Sequence, residues 1–290
     1  LNNTNNQGFS EIQKESSSST GNIRNRMGLT TSRSLGVHAT YDWKRVKLRS
    51  NIQYVGTDRL EDSRTTVDNY IRKDKSITRS TNNSRTENNN LVANAFLEWK
   101  MDSVTTLIFR PQYRFSANGR ENKGFQEGWG NDVLLNEKVS SGSNHNSQYN
   151  VTMMLQLSRK LSQKGRNVAL KVDYGTNSSS NDRKNLSTTH YFKNDREDSK
   201  NQKIEDDIDG YNYRVQLVYV EPLLWMHHLQ LRYSYQYKVN NSDRFVYDWN
   251  EDLGEFTPDY DESASNQFEN QYSNHLLNLA VRTSRKKYNY

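Results

Sequence analysis

The chain contains no cysteine and only 3 prolines in 290 residues. Without cysteine it has neither a disulfide framework nor a thiolate metal site. Apolar residues are also scarce: 32% are hydrophobic and the mean hydropathy is −1.08, where a soluble domain carries roughly 45–50%. No run approaches the ~20 apolar residues that a membrane helix requires, which excludes a helical membrane protein. A membrane β-strand is not excluded, because it needs an apolar residue only at every second position. The opening Leu1-Asn2-Asn3-Thr4 has no initiator Met, basic region or apolar signal core. The expectation is that the start was removed or that the sequence is an excerpt of a longer protein.

So polar a chain raises the question of disorder, since it has little apolar surface to offset lost conformational entropy. Its 18 Tyr, 9 Phe and 5 Trp oppose that for the chain as a whole. The net charge is +6 with a pI near 9.2. Lys and Arg are interspersed with Asp and Glu along the whole length, with no basic stripe interleaved with aromatics. Nucleic acid is therefore not an expected partner.

What the chain does contain is a repeated unit: an alternating segment, a short turn, a second alternating segment and a long polar stretch. Side chains of a strand point to opposite faces with a period of two. In the first unit Leu35, Val37, Ala39, Tyr41 and Trp43 share one face, opposed by Gly36, His38, Thr40 and Asp42. After Lys44-Arg45, Val46, Leu48, Ile52 and Tyr54 oppose Lys47, Arg49, Asn51 and Gln53.

The second unit sets Leu91, Ala93, Ala95, Leu97 and Trp99 against Asn94, Glu98 and Lys100, with Val92 and Phe96 blurring the pattern. Beyond Asp102-Ser103 it returns with Leu107, Phe109, Tyr113 and Phe115 against Thr106, Arg110, Gln112 and Arg114. Pro111 falls on the apolar side and removes one ladder donor, so a bulge or an edge is expected there. The third unit runs Tyr149 to Leu157, turns at Ser162-Gln163-Lys164-Gly165 and returns through Val168, Leu170, Val172 and Tyr174, with Lys171 on the opposite face. The fourth runs Tyr211 to Tyr219 with Arg214 opposite, turns through Pro222 to Met226, and returns from Leu229 to Val239 with Arg232 opposite. A fifth opens with Leu277, Leu279 and Val281 and turns near Ser284-Arg285-Lys286. Landmarks before the turns (Trp43, Trp99, Leu161, Glu221, Thr283) recur every 56 to 62 residues, longer than any common solenoid or propeller repeat.

Short turns alternate with polar stretches at about 58–90, 118–146, 177–208 and 241–270, expected to be long loops. Such loops are uncommon in compact soluble domains. Short turns on one rim and long loops on the other suit an outer-membrane barrel. The expected fold is all-β: an antiparallel up-and-down transmembrane β-barrel, partial, with about 10 long meander strands. Residues 1–290 then form one segment of a larger barrel, with 1–20 a polar loop, short periplasmic turns and long extracellular loops. Arg49, Arg110, Arg114, Lys171, Arg214 and Arg232 become lumen-facing candidates. Trp43, Trp99, Tyr219 and Trp225, all near short turns, become interface aromatics.

Units such as Leu35-Gly36-Val37-His38-Ala39-Thr40-Tyr41-Asp42-Trp43 and Val168-Ala169-Leu170-Lys171-Val172-Asp173-Tyr174 give the chain its likeness. It resembles the barrel half of TonB-dependent receptor-like outer-membrane proteins, over nearly its whole length. That resemblance implies localisation in the cell outer membrane, an N-terminal plug, about 22 strands, and import of a bulky nutrient energised through a periplasmic coupling protein. Neither plug nor coupling box occurs in this sequence. The expected partners are the outer-membrane bilayer, that coupling protein and an unknown extracellular ligand.

No Gly-rich phosphate loop, zinc-type His pair or nucleophile motif occurs, so neither an enzyme nor a cofactor is expected. His227 and His228 adjoin at a strand start and face opposite ways. Asp248 to Gly254 resembles a calcium loop only loosely, with its Gly one place late and no flanking helices, and reads as a solvated acidic loop. Two other functions stay open: a passive or adhesive outer-membrane barrel, and a soluble secreted β-sheet binding protein.

Overall fold

The computed structural model describes residues 28–71, 74–162, 165–223, 227–285 and 288–289. Among these residues every regular element is a strand, and the strands form one antiparallel sheet in chain order. Nine are long: β1 (Leu29–Trp43), β2 (Val46–Ile71), β3 (Asp74–Lys100), β4 (Thr105–Gly130), β5 (Val133–Lys160), β6 (Asn167–Tyr191), β7 (Arg196–Pro222), β8 (His227–Asn250) and β10 (Asn266–Arg285). Two pieces of two residues, β9 (Glu255–Phe256) and β11 (Tyr288–Asn289), pair with β8 and β10. The order is an up-and-down meander, and β1 and β10 do not pair with each other, so the sheet is open.

The alternating segments are strands, and their apolar residues fall opposite one another. One hydrogen-bonded row reads Tyr41, Leu48, Leu97, Phe109, Leu155, Val172, Val215, Tyr235 and His275 across nine strands. Branched and aromatic side chains favour this pleated surface through their cross-strand neighbours. At Pro111 the β3–β4 ladder is interrupted: Asn94 pairs Gln112 and Leu97 pairs Phe109, with no pairing between them. The register is the same on both sides, so the missing N–H leaves a gap and not a bulge.

The polar stretches differ from the expectation. Residues 58–90, 118–146 and 177–208 are not irregular loops but the outer halves of strands 25 to 28 residues long, paired to their tips. The β4–β5 and β6–β7 connections are turns at 131–132 and 192–195. Between β4 and β5, Asn131 (φ 46°) and Asp132 (φ 62°) occupy both central positions of a two-residue turn. Positive φ at both positions matches the twist of flanking strands, and Asn and Asp tolerate it. In the 241–270 stretch β8 continues to Asn250, and the irregular connection is confined to 257–265. The 1–20 segment lies outside the described residues.

The sheet is one layer without a core. Only Phe96, Ile204, Val239 and Val246 are buried apolar side chains among the described residues. Leu155, Leu170, Leu217 and Trp43 stand 40% or more exposed.

Candidate functional site

Cross-strand pairing sorts the middle of the sheet into two faces. One carries the apolar stripe: Val46 to Tyr54 on β2, Leu107 to Phe115 on β4, Tyr149 to Leu157 on β5 and Tyr211 to Tyr219 on β7, taken at alternate positions. No Asp, Glu, Lys or Arg interrupts it on any long strand, and Ser50 is its one hydroxyl apart from the tyrosines. Each of these stretches is nine residues, against the ~9–11 that cross a bilayer's hydrocarbon.

Beyond the stripe the same face turns charged within a few residues. Asp58, Arg85 and Glu87 form a cluster: Arg85 donates through Nε (3.2 Å) and Nη2 (2.8 Å) to Asp58 and meets Glu87 at 2.6 Å. The guanidinium beside Asp58 holds that carboxyl below its usual range.

Arg49, Arg110, Arg114, Lys171, Arg214 and Arg232 all stand on the opposite face. Arg49, Arg110 and Arg214 lie on one row with Asp173, and Asp173 pairs directly with Arg214. The side chains are held locally. Arg110 lies 5.0 Å over the Phe96 ring, Arg214 donates to Gln236 at 2.6 Å, and Lys171 meets Asp173 at 3.0 Å. Lys47 and Lys238 join the six on this face.

Aromatic residues border the stripe at both ends. At the short-turn end Trp43, Val46 and Trp99 share a row, while Tyr219 donates its hydroxyl proton to Glu221. Trp225 lies outside the described residues. At the other end Tyr54 donates to Asn89 Oδ1 at 2.6 Å. Across β7, β8 and β10, Tyr213 and Tyr237 lie 5.6 Å apart, Tyr213 and Tyr235 5.9 Å, and Tyr235 and His275 4.7 Å between ring centroids. His275 Nδ1 is 2.9 Å from the Tyr233 hydroxyl. The sequence reading missed His275, which lies on the stripe's face and is recognisable only by its pairing with Tyr235.

The short turns are bonded into a rim. Lys100 N donates to Arg45 O (2.7 Å), Lys160 N to Val104 O (2.9 Å), and Arg166 Nε to Glu221 Oε2 (2.7 Å). Asp102 closes its own turn by accepting from the N–H groups of Val104 (2.7 Å) and Thr105 (2.6 Å), which keeps its carboxyl below the ordinary range.

This rim slants across the sheet. On the hydrogen-bonded row described above, Val46 lies two residues below Leu48 and Thr105 four below Phe109. Asn167 lies five below Val172, His227 eight below Tyr235, and Arg285 ten below His275. The drift is about one residue per strand. With ~3.3 Å per residue and ~4.8 Å between strands, strands tilt about 35° from the normal to the rim, within the range of closed barrels. The stripe descends with it. Its upper end is six residues above the row on β2 to β5 (Tyr54, Leu91, Phe115, Tyr149), two on β6 (Tyr174), four on β7 and β8 (Tyr211, Val239), and two below it on β10 (Leu277).

Two sequence features are explained locally. His227 and His228 pair Thr283 and Arg282 on β10, on opposite faces. The 248–254 segment is the end of β8 and a turn into β9, where Asn250 Oδ1 accepts from Asp252 N and Leu253 N. No group of three His, Asp or Glu side chains suited to a metal occurs among the described residues. Compared with known protein families and with curated proteins, the chain matches none.

Proposed function

We propose that this chain forms part of the wall of an outer-membrane β-barrel, its apolar stripe in hydrocarbon and its opposite face lining an aqueous lumen. One observation carries the proposal. The uncharged stripe keeps level with the slanting rim of turns more closely than with the hydrogen-bonded rows. A slab of fixed height cut through tilted strands gives that relation. The exposure of the stripe agrees, because an apolar area of this extent requires cover, and the single-layer sheet provides none.

Hydrocarbon also demands that strand edges be paired. β1 and β10 run in the same direction, so antiparallel closure of one onto the other takes an odd number of further strands, and β11 begins one. The strands beyond the stripe would stand in water as long hairpins on one side, with short turns on the periplasmic side.

On this reading the function is passage of a solute. The energised form, with a plug and a periplasmic coupling partner as in TonB-dependent receptors, rests on the resemblance of the strand units. The test is reconstitution of the full chain into liposomes. Retention after alkaline and urea washes, with gel mobility that changes on boiling, is expected. A stable monomer in buffer without detergent would overturn the proposal.

A further inference from the structure

We infer that the lumen of this barrel is cationic and selects anionic solutes; the inference rests on the barrel reading. Within the limits of the apolar stripe, the opposite face carries eight Lys or Arg (the six above with Lys47 and Lys238) against three acids, Asp42, Glu98 and Asp173. The chain as a whole has 40 Lys+Arg and 34 Asp+Glu, so the residues elsewhere are close to balance. The excess of positive charge is gathered on this face.

Its arrangement strengthens the effect. Each acid has a cation beside it: Asp42 and Glu98 both pair with Lys47, and Asp173 pairs with Arg214 and binds Lys171 at 3.0 Å. Arg49, Arg110 and Arg214 follow one hydrogen-bonded row, and the strand tilt staggers them along the wall, three residues from the rim at Val46, five from Thr105 and eight from Pro222. Low-dielectric walls focus such a field into the water between them.

The approach to these cations is free of acids on four strands. From the Asn94 row outward to the Asn82 row, the same face of β3 to β6 carries Asn, Gln, Ser, Thr, Gly and Val, with Arg114, Arg120 and Arg183 its only charges. Asn88, Asn118, Asn146 and Asn181 stand side by side on one row. An anion arriving between the hairpins meets amides and hydroxyls with Arg120 and Arg183 among them, and then the cations behind the stripe, without passing a carboxylate on these strands.

The experiment is the reversal potential of the full chain in planar bilayers under a potassium chloride gradient. The expected sign is that set by chloride. Arg49→Glu with Arg214→Glu is expected to move it toward the potassium side, with Arg49→Gln and Arg214→Gln as the milder pair if the first fails to assemble. Lys123→Glu, beyond the stripe on the other face, is expected to leave it unchanged. Protein that inserts and gives a potassium-set potential or no conductance overturns the inference alone. Protein that fails to enter the bilayer overturns the barrel reading and this inference with it.

Discussion

Arg166 and Glu221 are 55 residues apart in sequence, yet the guanidinium of one donates two hydrogen bonds to the carboxylate of the other, through Nε at 2.7 Å and through Nη2. The contact ties the connection between β5 and β6 to the end of β7, one position beyond Asn167–Val220, the last pair of the β6–β7 ladder.

That pair gives the rim a pH dependence. The Arg166 hydrogen bond, with help from the Tyr219 hydroxyl, holds the Glu221 carboxyl below its ordinary value of 4.5. A depressed folded-state value means that the stabilisation is fully present above the unfolded value and is lost as pH falls through the folded one. Glu221→Gln is expected to lower the melting temperature slightly at pH 7 and to flatten its dependence on pH below about 4.5. Calorimetry on the reconstituted protein at several pH values measures both effects.

Asp102 makes a separate prediction about turn formation. Its carboxylate accepts from two backbone N–H groups and from the Thr105 hydroxyl at 3.0 Å, so Asp102→Ala leaves two turn donors to water. Asp102→Asn retains one acceptor oxygen and is expected to lie between wild type and Ala. Hydrogen exchange at Val104 and Thr105 ranks the three variants.

At Pro111 the missing donor is repairable. Pro111→Ala restores an N–H facing Ala95 and is expected to stabilise the β3–β4 pair by about 0.5–1.5 kcal/mol, the net value of one hydrogen bond. Unchanged exchange protection at Phe96 and Leu97 would show that the gap has another cause.

The two faces are expected to tolerate charge unequally. Leu155→Arg and Leu170→Arg put a cation on the stripe near its mid-height and are expected to cost ~2–4 kcal/mol each and to block assembly. Gln156→Arg, one residue away on the other face, is expected to assemble. Heat-modifiable gel mobility reads all three.

Much of this fold was legible because period-two alternation is strong wherever one face is apolar: Leu35 to Trp43 and Val168 to Tyr174 specify strand, face and pairing together. The outer halves of the strands were not legible. Stretches such as Ser80-Thr81-Asn82-Asn83-Ser84-Arg85 are polar at every position, so both faces are wet and alternation leaves no trace. Only pairing continued from the apolar half carries them into register. The cations of the opposite face were legible too, because alternation alone sets Arg49, Arg110, Arg114, Lys171, Arg214 and Arg232 against the apolar positions. Their cross-strand neighbours, such as Asp173 beside Arg214, were not, because pairing depends on register between strands. The slant of the rim depends on register between neighbours, which no single segment encodes.

The contact between stripe and hydrocarbon is tested most directly by single spin labels at positions 153 to 158 of β5 in a bilayer. Labels at 153, 155 and 157 are expected to be accessible to dissolved oxygen and shielded from a water-soluble nickel reagent, with the reverse at 154, 156 and 158. Equal access of the nickel reagent to both sets, or oxygen shielding at Leu155, would contradict a lipid-facing stripe.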